Sequence, residues 1–487
     1  MNAISLKDKT AKGIFFGGIG SFSQQITGAI FGIIIARILS PHDYGLIAML
    51  AIFTAIASII MDSGFTNALI NKKSIKHEDY NAVFWFSIFS SIFLYIILFF
   101  LAPLIAYFYN QPVLVNLSRL MFLTFIFSGL GIAHNAFLLK NIMAKQRGII
   151  DFTAVLCSGI VGLILALKGY IFWGLAIQAI TQSFVSTVLR WCFSPWRPSF
   201  NINFSPLKEM FGFSSKIFIT NIIVQSTSQI LSVIFGRCFG KEQTGLYSQG
   251  HKWAALGTVT LSGMINGVSQ PVLVEAVDDP KRFVNIFRKM VRFGAFVFFP
   301  CLLGLAFVGE EFILITIGEK WLDSLFFLQI FCIWGSVSFL WILYTNALLA
   351  LGKSDIYMWG VLFLSLLQIC LVLCLISSGM KVMTSIFILL YFIAFPFFHY
   401  HINKLVGLRF WDTIKDIVPY LFVTLISLSV AWAISCFFEH NYYLSFSVKV
   451  TITILLYVTI LKKCNSIIFN ESYRYLKTIF SKKSVNN

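Results

Sequence analysis

Phe84-Trp-Phe-Ser-Ile-Phe-Ser-Ser-Ile-Phe-Leu-Tyr-Ile-Ile-Leu-Phe-Phe-Leu-Ala-Pro-Leu104 contains no charged residue. An α-helix rises about 1.5 Å per residue, so this stretch alone reaches across the ~30 Å hydrocarbon core of a bilayer. Its apolar residues are continuous and do not alternate, which favours a helix over a barrel strand. Runs of the same character recur, for example Ile149 to Leu167 and Val418 to Phe438. Across the chain 58% of residues are hydrophobic and only 12% are charged, with a mean hydropathy of +0.84. A soluble domain carries about a quarter charged residues. The composition therefore predicts an all-α polytopic membrane protein, with lipid rather than water as its main solvent.

Hydropathy predicts about 14 spanning helices, near 13–36, 44–62, 82–107, 113–136, 149–167, 171–192, 210–236, 245–270, 291–309, 324–350, 356–377, 382–403, 416–437 and 443–461. Lys and Arg concentrate on cytoplasmic loops. With the N-terminus inside, one side receives Lys7, Lys9, Lys12, Lys72, Lys73, Lys76, Lys140, Lys145 and Arg147. The same side receives the cluster from Lys281 to Arg292 and the tail from Lys462 to Lys483. Few basic residues fall opposite. The expectation is an even number of crossings with both termini cytoplasmic. The formal charge of +17 is then a consequence of topology, and nucleic acid is not an expected partner. Met1 to Lys12 is polar and the following apolar run exceeds signal-peptide length, so no cleavable signal is expected.

The chain repeats itself. Arg37-x7-Gly45-Leu46 recurs 200 positions later as Arg237-x7-Gly245-Leu246, and Gln25, Ile30 and Ile34 recur as Gln225, Ile230 and Ile234. Asn135-Ala136 with Leu138 resembles Asn346-Ala347 with Leu349. The expected organisation is a six-helix lobe over 1–200, a second six-helix lobe over 206–403 in parallel repeat, and two additional helices with a basic tail over 410–487.

Polar residues recur on the first helix of each half. Gln25 lies among Ser21, Ser23, Gln24 and Thr27, while Asn221, Gln225, Ser228 and Ser232 follow 4-3-4 spacing on one helical face. Unsatisfied polar groups are expensive in hydrocarbon. Such a face meets another helix or a watery cavity. Ionisable residues within spans are His251 and Lys252, with Arg119 and Lys216 nearer span ends, from where long side chains reach the interface. The candidate substrate-binding set is Lys252, His251, Arg119, Gln25, Gln225, Asn221 and Ser228. Arg37 and Arg237 read instead as ties for the loops that follow them. Gly28 and Gly32 allow close helix packing, and Pro300 and Pro396 are candidate kinks.

Chemistry of other kinds finds little support. The nine cysteines are scattered through apolar runs without a Cys-x-x-Cys pair, and read as small buried hydrophobes. Gly236-x3-Gly240-Lys241 is one residue short of a P-loop. No catalytic residues, metal site or cofactor are expected. Asp278-Asp279-Pro280 reads as a turn before a separate amphipathic basic segment at the inner surface.

Arg37-Ile-Leu-Ser-Pro-His-Asp-Tyr-Gly-Leu46, Met61-Asp-Ser-Gly-Phe-Thr-Asn-Ala-Leu-Ile70, Asp79-Tyr-Asn-Ala-Val-Phe-Trp85 and Thr244-Gly-Leu-Tyr-Ser-Gln-Gly-His-Lys-Trp253 resemble the Wzx-type flippases. These belong to the multidrug/oligosaccharidyl-lipid/polysaccharide exporter superfamily. The resemblance implies two six-helix lobes that open alternately to each side of a bacterial plasma membrane. It implies an undecaprenyl-diphosphate-linked oligosaccharide as substrate, moved outward for surface polysaccharide assembly, with a coupling ion (H+ or Na+). Polymerase and glycosyltransferase partners and a basic cavity follow from the same likeness, with the last two helices near the lipid tail. In several relatives the cavity arginines lie on the first, second and eighth helices. Here the eighth supplies His251 and Lys252, the first has only Arg37 at its end, and the second has neither Arg nor Lys. The competing readings are a drug or cation exporter of the same superfamily, which would favour deep acidic residues, and a membrane-embedded polysaccharide polymerase or ligase, which would need a sizeable external loop.

Overall fold

The computed structural model describes residues 6–72, 75–438, 441–471 and 473–474, without the side chains of 6–19, 67, 70–71 and 209–217. Lys73, the Lys216 side chain and the tail lysines beyond 474 lie outside the described residues. Every regular element described is helical: α1 (Leu6–Ile38), α2 (Pro41–Asp62), α3 (Phe65–Asn71), α4 (His77–Tyr109), α5 (Leu114–Met121), α6 (Leu123–Lys140), α7 (Ala144–Leu167), α8 (Ile171–Phe193) and α9 (Ser205–Cys238). There follow α10 (Gly240–Val274), α11 (Pro280–Phe298), α12 (Gly304–Phe307), α13 (Gly309–Thr316), α14 (Leu325–Ala350), α15 (Ser354–Cys374), α16 (Met380–Val406), α17 (Phe410–Ser435) and α18 (Tyr442–Lys463). The described residues form two compact units whose boundary falls inside α10, between Ser248 and Gln249.

Local chemistry sets the helix ends. At the start of α2, Asp43 accepts from the Ser40 backbone N–H at 2.9 Å and from its hydroxyl at 2.6 Å, and Pro41 fills a first-turn position that needs no donor. At the start of α4, Asp79 accepts from the Lys76 N–H at 2.8 Å and from the Lys72 ammonium at 2.9 Å. The predicted 113–136 span is two helices, α5 and α6, breaking at the buried Phe122. The basic segment expected before residue 291 forms the beginning of α11. Asp279 caps it by accepting from the N–H groups of Lys281 and Arg282, and Pro280 occupies its first turn. Pro300 has no N–H to donate, and the helix passes it in a π turn, Phe299–Leu303, before resuming as α12.

In the first unit, Phe122, Phe125, Met49 and Leu117 make one apolar core, and Phe84, Val83, Phe65 and Trp196 make another. The seam between α6 and α8 is polar. Ser128 and Ser183 share a hydrogen bond at 2.8 Å, Thr187 donates to the Phe127 carbonyl at 2.8 Å, and Trp191 donates to that of Leu130 at 3.0 Å. Hydrogen bonds of this kind join helices where lipid offers no hydrophobic drive between them. Gly28 abuts Val155 of α7, as its small size predicts.

The two copies of the Arg-x7-Gly-Leu motif meet. A Cβ built on Gly45 would lie 1.7 Å from the Lys241 carbonyl oxygen, and one on Gly245 would lie 1.8 Å from that of Pro41. Each glycine thus faces the carbonyl four residues before its counterpart. Only the absence of a side chain at both positions permits this approach of α2 and α10.

In the second unit, Phe283, Phe287, Val291 and Phe298 of α11 pack with Phe339 and Leu343 of α14. Ile417 and Tyr420 of α17 and Tyr457 of α18 complete this core. Arg288 reaches Asp416 of α17 through Nε at 2.7 Å and Nη2 at 3.2 Å, fixing α17 to α11. The reading of the cysteines as buried is corrected: all nine are free thiols, but only Cys332 is buried and seven are exposed. A thiol is apolar enough to face lipid, so its presence in an apolar run does not imply an interior position.

Candidate functional site

Thirteen helical segments among the described residues are long and apolar enough to cross a membrane. The 35-residue α10 is not one of them, because its polar and small residues dilute its apolar ones. Gln249 is fully buried, and neither atom of its amide has a hydrogen-bond partner among the described residues. Beside it, Gly250 brings α10 against the start of α14, where a Cβ would lie 2.6 Å from Phe327 Cβ. His251 meets the Phe331 ring edge-on at 4.5 Å, and the Lys252 ammonium lies 5.5 Å from the centre of the Trp253 ring.

Further along α10, the Asn346 amide donates to Asn266 at 3.2 Å and to Ser269 at 2.6 Å. Gly263 and Gly267 have open space where a Cβ would stand, and Asn266 and Gln270 are exposed. These four positions share one helical face. A face of small and amide side chains wastes its surface against acyl chains and suits water or a hydroxyl-rich ligand.

Within the first unit, Asn221 and Ser228 are exposed on α9 and Gln225 is half-buried, while Ser232, the fourth member of the predicted row, is buried. The Ser228 hydroxyl donates to the Gln225 carbonyl at 2.8 Å. Gln25 is half-buried on α1, a helix that packs chiefly along α7, whereas α9 packs on α2, α3 and α4. Arg119 is committed to α4: its Nε donates to the Phe99 carbonyl at 3.3 Å and its guanidinium covers the Phe99 ring at 4.2 Å. Gln25, Arg119, Asn221, Gln225 and Ser228 belong to the first unit, and His251 and Lys252 to the second. The structure brings together the α9 row in one unit and the His251–Lys252 pair in the other.

Arg237 ties a turn distant in sequence, and not the loop that follows it. It lies 5.5 Å from the Phe108 ring centre, and the Asn110 amide, with its oxygen turned toward Arg237, accepts from it at 2.9 Å. The turn after α4 is thereby tied to the end of α9.

Two charged constellations escaped the sequence reading. Glu311 of α13 is buried, accepts from the Ser445 hydroxyl at 2.9 Å and forms an ion pair with Lys449 of α18. Lys449 also lies 4.9 Å from the Phe307 ring centre, at one end of an apolar furrow of about 490 Å³ between Phe296–Val308 and α18. The second constellation is Asp151, near the start of α7, in the field of Arg190 and Arg147. A charge in an apolar span is a signal by itself, but partners 138 positions apart leave no periodic trace. Among the described residues, no group of three His, Cys, Asp or Glu side chains is placed to hold a metal ion.

Residues 34–325 match the family described as polysaccharide biosynthesis protein. The lipopolysaccharide biosynthesis protein WzxC of Escherichia coli is 26% identical over 338 residues, 68% of this chain and 68% of that protein. The teichuronic acid biosynthesis protein TuaB of Bacillus subtilis is 26% identical over 317 residues, 64% of this chain and 65% of that protein. Among solved structures, the lipid II flippase MurJ in an inward closed conformation superposes with a TM-score of 0.74 at 16% identity, covering 95% of this chain and 99% of that one. That likeness shows the fold, an all-α architecture of many membrane-length helices. With well over half of its length matched, the chain belongs to the polysaccharide biosynthesis protein family.

Proposed function

We propose that this family member is a flippase. It carries an undecaprenyl-diphosphate-linked oligosaccharide from the cytoplasmic to the outer leaflet of a bacterial plasma membrane by alternating access. An H+ or Na+ gradient supplies the drive, both termini are cytoplasmic, and the products feed polymerase and glycosyltransferase partners of surface polysaccharide assembly. The observation that carries the reading is α10: a 35-residue helix in a membrane protein, too polar for lipid, with an amide-and-glycine face and an ionisable His251–Lys252 pair. Sugar hydroxyls are matched by amides. A diphosphate is matched by an ammonium in a poorly hydrated setting, where opposite charges attract strongly. Lys252 attracts the diphosphate and His251 stands beside it.

The test is translocation of a fluorescent lipid-linked oligosaccharide in vesicles containing the purified protein. Lys252→Ala lowers the rate per folded protein by at least about tenfold, equivalent to about 1.4 kcal/mol. A normal rate in that variant overturns the role of Lys252. Transport of organic cations with none of the lipid-linked sugar would replace the whole reading by the drug-exporter one.

A further inference from the structure

The segment joining α8 to α9 has no regular secondary structure, and it is fastened to the start of α4. Asn81 grips its backbone twice, accepting from the Ser199 N–H at 2.9 Å and donating to the Asn201 carbonyl at 2.7 Å. Trp85 donates to the Ser199 carbonyl at 2.8 Å, and Trp196 donates to His77 at 3.1 Å. Four side-chain hydrogen bonds along a few residues make this a strap with a fixed course.

Beyond the grip, the strap reads Phe200-Asn-Ile-Asn-Phe204. Three apolar residues, Phe200, Ile202 and Phe204, are interleaved with two asparagines; Phe200 and Phe204 reach Trp85 and Phe89, one turn apart on α4, while the Asn203 side chain turns to accept from the Ser205 N–H at 2.9 Å. The apolar three are exposed, Phe200 at 90%, Ile202 at 45% and Phe204 at 41%. They are also continuous with a surface of known surroundings. Phe89, Phe93, Ile96, Phe100 and Leu104 form an exposed stripe on α4 at helical spacing. In a span this apolar, that stripe faces acyl chains. Phe204 meets Phe89 edge-on at 6.3 Å, and Phe200 lies on Trp85 at 5.9 Å. The strap thus prolongs the lipid-facing stripe at its α4 N-terminal end. Arg197 and the exposed Lys208 flank it.

We propose that residues 200–204 form a membrane-interface anchor. Phe200, Ile202 and Phe204 enter the upper acyl region of the leaflet, the asparagines face headgroups and water, and Arg197 and Lys208 meet lipid phosphates. Aromatic side chains and basic residues favour this depth. Exposed backbone is tolerated there because water still reaches the interface. The anchor fixes where α9 enters the bilayer. It rests on α4 spanning the membrane and not on the transport reading above.

The test uses the full chain in bilayer vesicles containing anionic phospholipid. Spin labels are placed by Phe200→Cys, Asn201→Cys, Ile202→Cys, Asn203→Cys and Phe204→Cys in a background with the nine native cysteines replaced. Collision with oxygen, which partitions into lipid, exceeds collision with a water-soluble nickel chelate at 200, 202 and 204. The ratio reverses at 201 and 203. Nickel dominance at all five positions overturns the anchor. Because the cysteine-free background could fold poorly, native protein is also irradiated with a photoactivatable phospholipid and its peptides are mapped. Adducts on the 198–208 peptide support the anchor. Adducts on α4 with none on that peptide overturn it.

Discussion

α4 and α10 are of similar length, 33 and 35 residues, yet they answer to different surroundings. α4 turns Phe93, Phe100 and Leu104 outward, at 64%, 74% and 60% exposure, which only lipid makes acceptable. α10 turns Asn266 and Gln270 outward among the exposed Val259, Met264, Val268 and Val274, and is studded with glycines. The same contrast holds for lysines. Lys449, in the apolar α18, is bound into an ion pair with the buried Glu311. Lys252, in the polar α10, leans over an indole ring. Exposure in a membrane protein is therefore informative only together with the chemistry of what is exposed: apolar exposure marks lipid, and polar exposure marks water or substrate.

This comparison can be broken most sharply at the two lysines. Removing one partner of a buried ion pair leaves the other charge uncompensated, which typically destabilises by about 3–5 kcal/mol. Lys449→Met and Glu311→Gln should each lower the melting temperature in detergent clearly, and Lys252→Met should impair transport. Unchanged melting temperatures in the first two variants would erase the structural role of the ion pair, and normal transport in the third would erase the functional role of Lys252.

The next largest effect separates two glycines of one helix. Gly245→Ala drives a methyl into the Pro41 carbonyl and should destabilise by about 1–3 kcal/mol, the usual range for overpacking. Gly263→Ala meets nothing within 4 Å, and alanine is the better helix former by about 1 kcal/mol. That variant should melt at the same temperature or higher. If the open face is a sugar path, transport by Gly263→Ala falls while stability does not.

Asn346→Ala removes the hydrogen bonds to Asn266 and Ser269, a change of about 1 kcal/mol per net bond, read as a modest thermal shift. The smallest effect is expected on α4. Phe100→Leu keeps an apolar group against lipid, and should stay within about 0.5 kcal/mol of the parent, as surface changes generally do. A large loss there would mean that the stripe packs against protein.

Much of this was legible in the amino-acid order. Length and apolarity of the runs located the spans. The 200-position echo of Arg37-x7-Gly45-Leu46 picked out Gly45 and Gly245, each of which abuts a carbonyl within the other copy. One reading failed for an identifiable reason: the cysteines were judged by their neighbours in sequence rather than in space. Glu311 and Asp151 went unnoticed because each sits close to a span end, where a carboxylate looks solvated until its neighbours are known.

What the sequence determined by itself is local and periodic: each run must be helical, because a backbone in hydrocarbon has to satisfy its own hydrogen bonds, and each run is long enough to cross. What only the tertiary structure decided is who meets whom. That Gly45 and Gly245 confront each other's carbonyls, that Lys449 finds Glu311, and that Asn81 grips the strap at Ser199 and Asn201 all depend on chains brought together from far apart. Helix formation is governed by neighbours a turn away, whereas these contacts arise only once whole helices have packed, when small residues admit close approach and buried charges have found partners.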